Sequence, residues 1–321
     1  MRTFSIYRYV NSSLETVQSV ISDYKVWNEV VKDPVTSEEL EFSYEKNEEI
    51  ELDFNDSIVR CLYISFKNEK LSNKHRHNTD KNKRIRRNDS DIILFEEGED
   101  LIVVPLRGKN STTGSLLRTA LNIQGDGSLV DCSFDIKEDF FYWIFNRYLN
   151  LKNINVDKGK KITINSLTGF TGETRDSVNK IDGKGSRVSK ILWTLAFLFT
   201  NESLKSITPE LTHIRLSKGA EVREVIKLEL TLNGTYKIDE STHLGTQLLN
   251  KHTEKKISYL LIYVYKILIP ELQALYDSDI HNKIWSPYIK MQFISGIGSE
   301  IQDQVEDILL EIDKELGGIG E

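Results

Sequence analysis

The residues best suited to chemistry lie in one stretch, Lys67–Asn88 (KNEKLSNKHRHNTDKNKRIRRN), with nine Lys/Arg against Glu69 and Asp80. Nine minus two leaves +7 there; the whole chain carries −7, so everything outside the stretch sums to −14. Lysine and arginine at this density neutralise phosphates and release condensed counterions, which gives affinity independent of base sequence and steeply dependent on salt. The stretch keeps only Leu71 and Ile85 as apolar residues. It therefore reads as a solvated excursion that buries no core of its own. Two β-rich runs, Ile58–Phe66 and Ile92–Val104, flank it and would pin its ends. The cations expected to meet a DNA or RNA backbone are Lys70, Lys74, Arg76, Lys81, Lys83, Arg84, Arg86 and Arg87.

Other constellations are weaker. His75-x-His77 has metal-pair spacing, but Lys74 and Arg76 repel a dication and no carboxylate or cysteine completes a shell, so no metal is expected. The glycine-bearing stretch Thr168–Gly185, followed by Ser186-Arg187, reads as a loop opening a helix. It would be an anion site through Lys184, Ser186 and Arg187, because free backbone N–H groups and the helix dipole face the ligand. It is no P-loop: Gly185 follows Lys184 where Ser or Thr is required, and Val178 stands where a glycine is required.

Acids follow the basic stretch at Asp89, Asp91, Glu96, Glu97, Glu99 and Asp100, which raises a metal-dependent nuclease as an alternative. Glu224-x-x-Lys227 misses the nuclease acid-x-Lys pattern by one residue, and in a strand that slip sends the two side chains to opposite faces. Asp135-Ile136-Lys137 and Asp182-Gly183-Lys184 fit the pattern outside any clear strand. His213, His243, His252 and His281 are isolated and read as structural or surface residues. No catalytic residue and no cofactor are assigned.

The framework must come from 321 residues, enough for two domains. The expected fold class is α+β. A strand-rich antiparallel unit with two helices, residues 1–123, carries the basic loop. A mixed unit, residues 129–321, has a central apolar helix, an antiparallel hairpin and C-terminal helices. Gln124–Ser128, polar and glycine-bearing, is the expected linker.

In the first unit Thr3–Val10 reads as a strand, Ser12-x-x-Glu15 as a capping box, and Asn110–Ile123 as a helix capped near Ser111 or Thr112. In the second, the aromatic run Phe140–Tyr148 reads as core, with a helix over Ser186–Phe199 that is apolar almost all round from Ile191. Asn233-Gly234 predicts a type I′ turn, helices are expected at Ser241–Asn250 and Glu254–Tyr276, and Pro270 should end or kink the latter. Ser299–Leu316 is an amphipathic helix with an apolar stripe and an acidic side.

Cys61 and Cys132 form no CxxC, so reduced thiols in a cytoplasmic protein are expected, with no membrane partner and a lysine- and asparagine-rich bacterial composition. The function implied is nucleic-acid association without catalysis. A further alternative is a subunit of a homo-oligomer or other protein assembly, docking through the basic loop and the acidic last helix.

Overall fold

The computed structural model describes residues 1–54, 57–125, 127–151, 154–157, 160–174, 179–185, 192–200, 202–217, 220–245 and 253–317. The chain begins with β1 (Arg2–Phe4), β2 (Tyr7–Tyr9), α1 (Leu14–Ser22), α2 (Tyr24–Trp27), β3 (Phe42–Asp53) and β4 (Ile58–Leu71). It continues through α3 (Lys81–Arg84), β5 (Ile85–Arg87), β6 (Ser90–Glu97), β7 (Asp100–Pro105), α4 (Ser111–Ala120) and β8 (Leu129–Asp131). Next come α5 (Glu138–Asn146), β9 (Ile154–Asp157), β10 (Lys160–Glu173), β11 (Lys180–Lys184), α6 (Leu192–Phe199), β12 (Ser203–Ser217) and β13 (Ala220–Thr231). The last are β14 (Tyr236–Ile238), β15 (Leu244–Gly245), α7 (Thr253–Tyr263), α8 (Ile269–His281) and α9 (Pro287–Gly317). Helix and strand each take about 37% of the chain and the strands form antiparallel sheets, which makes the fold α+β.

Two compact units result. The first comprises Met1–Phe134, Asn233–Glu240 and Leu248–Tyr263; the second comprises Asp135–Leu232, Ser241–Gln247 and Val264–Glu321. In the first, a sheet runs β3-β4-β6-β7-β2-β8, with β5 added to β4. Its strands Ile92–Phe95 and Leu101–Val104 are apolar without alternation because both faces are covered. Leu62, Ile64, Phe66, Ile92 and Leu94 pack with Leu14, Val17 and Ile21 of α1 and Leu116, Leu117 and Ala120 of α4. On β3, Ile50 and Leu52 are buried in alternation and lead to Phe54, whose ring stacks on Tyr259 of α7 at 4.8 Å.

Several expectations are corrected here. Thr3–Val10 is two strands, because β1 pairs with β14 while β2 pairs with β7 and β8; that break explains its imperfect alternation. The cap of α1 is Ser13, whose Oγ accepts from Thr16 N, with Ser12 buried instead. Asn110, not Ser111 or Thr112, caps α4 by accepting from Thr113 N. Gln124–Ser128 leads into β8, itself paired to β2.

In the second unit β10 lies between β11 and β12, β13 pairs with β12 and β15, and β9 pairs with β10. The aromatic run of α5, Phe140 through Phe145, is core throughout. Its two polar neighbours are held from outside the helix: Trp143 Nε1 and Arg147 Nε donate to Asp279 of α8, at 2.7 and 2.8 Å. The apolar helix α6 is not buried all round, since Phe199 is 48% exposed while Leu195 and Leu198 are closed off.

Asn233-Gly234 does turn the chain, but Gly234 alone has positive φ (+76°), so the turn is not type I′, which needs positive φ at both residues. Leu244–Gly245 is a strand where a helix was expected, and 246–252 lie outside the described residues. Pro270 sits in the first turn of α8, directly after a π-helical Val264–Leu268, so the helical run passes through it and does not end there. The run Thr253–His281 is long and apolar enough to cross a bilayer, yet 67% of its most apolar window is buried inside the protein, as in a core helix.

Candidate functional site

The basic stretch is more ordered than its composition implies. β4 runs on to Leu71, the chain turns through Ser72–Asp80, α3 makes one helical turn, and β5 returns against β4. The register is Glu69↔Arg87, Lys70↔Arg86 and Leu71↔Ile85. Asp80 starts α3 by accepting from Asn82 N through Oδ1 at 3.0 Å, and Ser72 N donates to Arg84 O at 2.7 Å.

Arg84 makes this shape possible. Its side chain is 2% exposed and forks onto Asp33, 1% exposed, with Nε at 2.9 and 3.0 Å from the two carboxylate oxygens and Nη2 at 2.6 Å from Oδ2. Nη1 donates to the carbonyls of Asn78 and Thr79 at 3.1 and 2.8 Å, curling the tip around the guanidinium. Asp33 also accepts from Val35 N and Thr36 Oγ1, so one carboxylate ties the Lys32–Glu39 loop to the hairpin. The Arg84 hydrogen bonds hold the Asp33 carboxyl well below the usual carboxylate range, against the opposing effect of burial.

Arg84 is thus withdrawn from the set of phosphate-binding residues: buried and saturated, it builds the loop. Ile85 is buried beside it, so the stretch does contribute to the interior. Lys70 is half-buried and donates to Thr119 Oγ1 of α4 at 3.1 Å, and Lys67 pairs with Glu45. Arg87 is exposed and pairs with Glu69 at 3.4 Å. Lys74, Arg76, Lys81, Lys83 and Arg86 are exposed and form no ion pair among the described residues. Five open cations on one braced hairpin make a concentrated positive surface.

The neighbouring acids do other work. Asp89 accepts from Asn68 N, Glu96 from Leu14 N and Asp100 from Asn11 N, while Glu97 and Asp100 each lie 3.6 Å from Arg8. Burial first and the nearby Asp91 carboxylate second push the Tyr63 hydroxyl above its usual range. Among the described residues no three His, Cys, Asp or Glu side chains gather to hold a metal ion.

The expected glycine-rich loop is mostly strand. Gly169 and Gly172 lie in β10 and Gly183 in β11, and a side chain at Gly172 would stand 2.2 Å from the Phe197 ring. These glycines admit close packing, and Lys184 pairs with Asp182 at 2.8 Å. Ser186 and Arg187 lie outside the described residues.

One arrangement escaped the sequence. His213 of β12 and Glu224 of β13 are cross-strand partners; Glu224 Oε2 lies 2.7 Å from His243 Nε2, and His213 Nε2 lies 2.9 Å from Glu271 Oε2 of α8. The side chains of His213, Glu224 and His243 are at most 3% exposed and that of Glu271 is 17% exposed. Both imidazole–carboxylate contacts lie inside the second unit, closed off from solvent on the histidine side. Only the period-two phase of β12 and β13 hinted at it, since His213 and Glu224 fall among apolar inward positions. Glu224 is buried, and β13 runs without a bulge from Glu224 to Lys227, the cross-strand neighbour of Glu210, so the acid and the lysine do part to opposite faces. No protein-family model matches the chain, and no curated protein matches it in sequence.

Proposed function

We propose that this is a nucleic-acid-associated protein that grips the phosphate backbone of DNA or RNA through the β4–β5 hairpin. The observation carrying this reading is the set of five exposed cations without ion pairs among the described residues, Lys74, Arg76, Lys81, Lys83 and Arg86, on a hairpin braced by Arg84 and Asp33. Long, exposed cations suit a repeated charge better than a shaped ligand, and bracing of the backbone lowers the entropy lost on contact. The remaining −14 of the chain repels polyanions, so contact is confined to the hairpin. Base identity is not read, since the hairpin presents point charges and few planar donors fixed in place.

Cys61 and Cys132 are not joined in a disulfide, which accords with a cytoplasmic setting. The test replaces the five cations together by glutamine in the full chain and titrates a duplex and a single-stranded oligonucleotide. These side chains are exposed, so the fold should survive. Binding is expected to be lost in the variant and present in the parent; undiminished binding by the variant would refute the assignment.

A further inference from the structure

Besides the hairpin, the first unit holds a cleft of about 630 Å³, within the range of small-ligand sites, between α4 and the residues Trp27, Asn28 and Phe42. One wall is aromatic. Trp27 is half-buried, its Nε1 donates to Val20 O at 2.8 Å, and its ring meets Phe42 edge-on at 5.5 Å, so the indole is fixed before any ligand arrives. The other wall is the side of α4 turned away from its buried Leu116, Leu117 and Ala120. Gly114 lies in the middle of that helix, where glycine costs stability against alanine, and a Cβ there would meet nothing within 4 Å. Packing among the described residues does not require this glycine. Its missing side chain keeps the cleft open.

The polar lining defines the guest. Asn28, Asn122 and Gln124 bring three carboxamides, and among the described residues their only side-chain hydrogen bond is from Gln124 Nε2 to Asn122 Oδ1 at 2.9 Å. A carboxamide offers the donor and acceptor that match N7 and N6 of adenine together. Arg118 is the one charged residue in the described lining; its Nη1 donates to Gly125 O at 2.8 Å, which leaves its other donors for a phosphate. Glu29, Glu41 and Glu69 line the adjoining cleft, which shares Asn28, Phe42 and Thr119 with this one, so a phosphate chain continuing that way would be repelled. The guest therefore carries its charge at the Arg118 end and is a single nucleotide, not a strand.

We propose that this cleft binds a free nucleoside monophosphate, its base laid against Trp27, its base edge met by the carboxamides and its phosphate held by Arg118. The site stands whether or not the hairpin grips nucleic acid.

The test titrates adenosine monophosphate into the full chain by calorimetry, beside ribose 5-phosphate, which has the phosphate without the base. A third titration uses an oligoadenylate and the chain whose five hairpin cations are glutamine, so that the hairpin and the cleft are read separately. Adenosine monophosphate is expected to bind saturably to both chains, ribose 5-phosphate not to bind, and the oligoadenylate to bind no more tightly than the mononucleotide. Trp27→Ala should weaken binding about five- to a hundredfold, the worth of one stacked base. Gly114→Leu should abolish binding with Tm held or raised, because leucine favours the helix and the space it enters is empty of protein. No binding of adenosine monophosphate, equal binding of ribose 5-phosphate, tighter binding of the oligoadenylate, or undiminished binding by Gly114→Leu would each overturn the proposal.

Discussion

At the residue scale the structure turns on one buried fork. Arg84→Ala would leave Asp33 an unpaired buried carboxylate and free the carbonyls of Asn78 and Thr79. A drop of several degrees in Tm is expected, with loss of hydrogen-exchange protection at Ile85–Arg87. Arg84→Lys should be nearly as damaging, because a point charge cannot reproduce the fork. A variant with unchanged Tm and protection would contradict the bracing role.

Proton linkage follows from the depressed Asp33 carboxyl. The stabilisation it supplies is complete above the ordinary carboxylate pKa of about 4 and is lost as pH falls from there toward the folded-state value. Tm should therefore fall in acid below about pH 4, and Asp33→Asn should start lower at neutral pH but fall less steeply. A variant as acid-sensitive as the parent would exclude Asp33 as the source. Burial pushes the Cys61 thiol up to about 12, whereas Cys132 is partly exposed. One thiol per native chain should react with a labelling reagent and two after denaturation; two in the native state would contradict the closed sheet face around Cys61.

At the element scale, the pleat fixes what composition hides. A Cβ on Gly245 of β15 would stand 2.0 Å from Glu224 Oε2 and 2.7 Å from the His243 ring. Gly245→Ala should cost about 1–3 kcal/mol in denaturant unfolding, and a neutral result would mean that the Glu224–His243 pair is not packed as described. The β-rich run Ile92–Val104, which holds β6 and β7, and the aromatic core of α5 were legible, because apolar character and burial agree there. The hairpin at Lys67–Asn88 was not, because Arg84 is held by Asp33, and a partner 51 residues away leaves no local mark. Gly169 and Gly172 of β10 imitated a loop for a related reason: they make room for Thr208 and Phe197, which come from later in the chain. Of the candidate site, the location of the charge was legible, but not the division between the cation that builds and those that remain open.

At the scale of the whole molecule the central feature is charge segregation, +7 in one hairpin against −14 elsewhere. Segregation confines a polyanion to one place and makes its binding a question of counterions more than of shape. The most direct measurement is the affinity of the full chain for a duplex across a salt series. Five phosphate contacts predict a slope of log K against log salt of about −4 to −5, and a loss on the order of several hundredfold between about 50 and 200 mM. A slope near zero, or one left unchanged when Lys74, Arg76, Lys81, Lys83 and Arg86 are replaced, would contradict it.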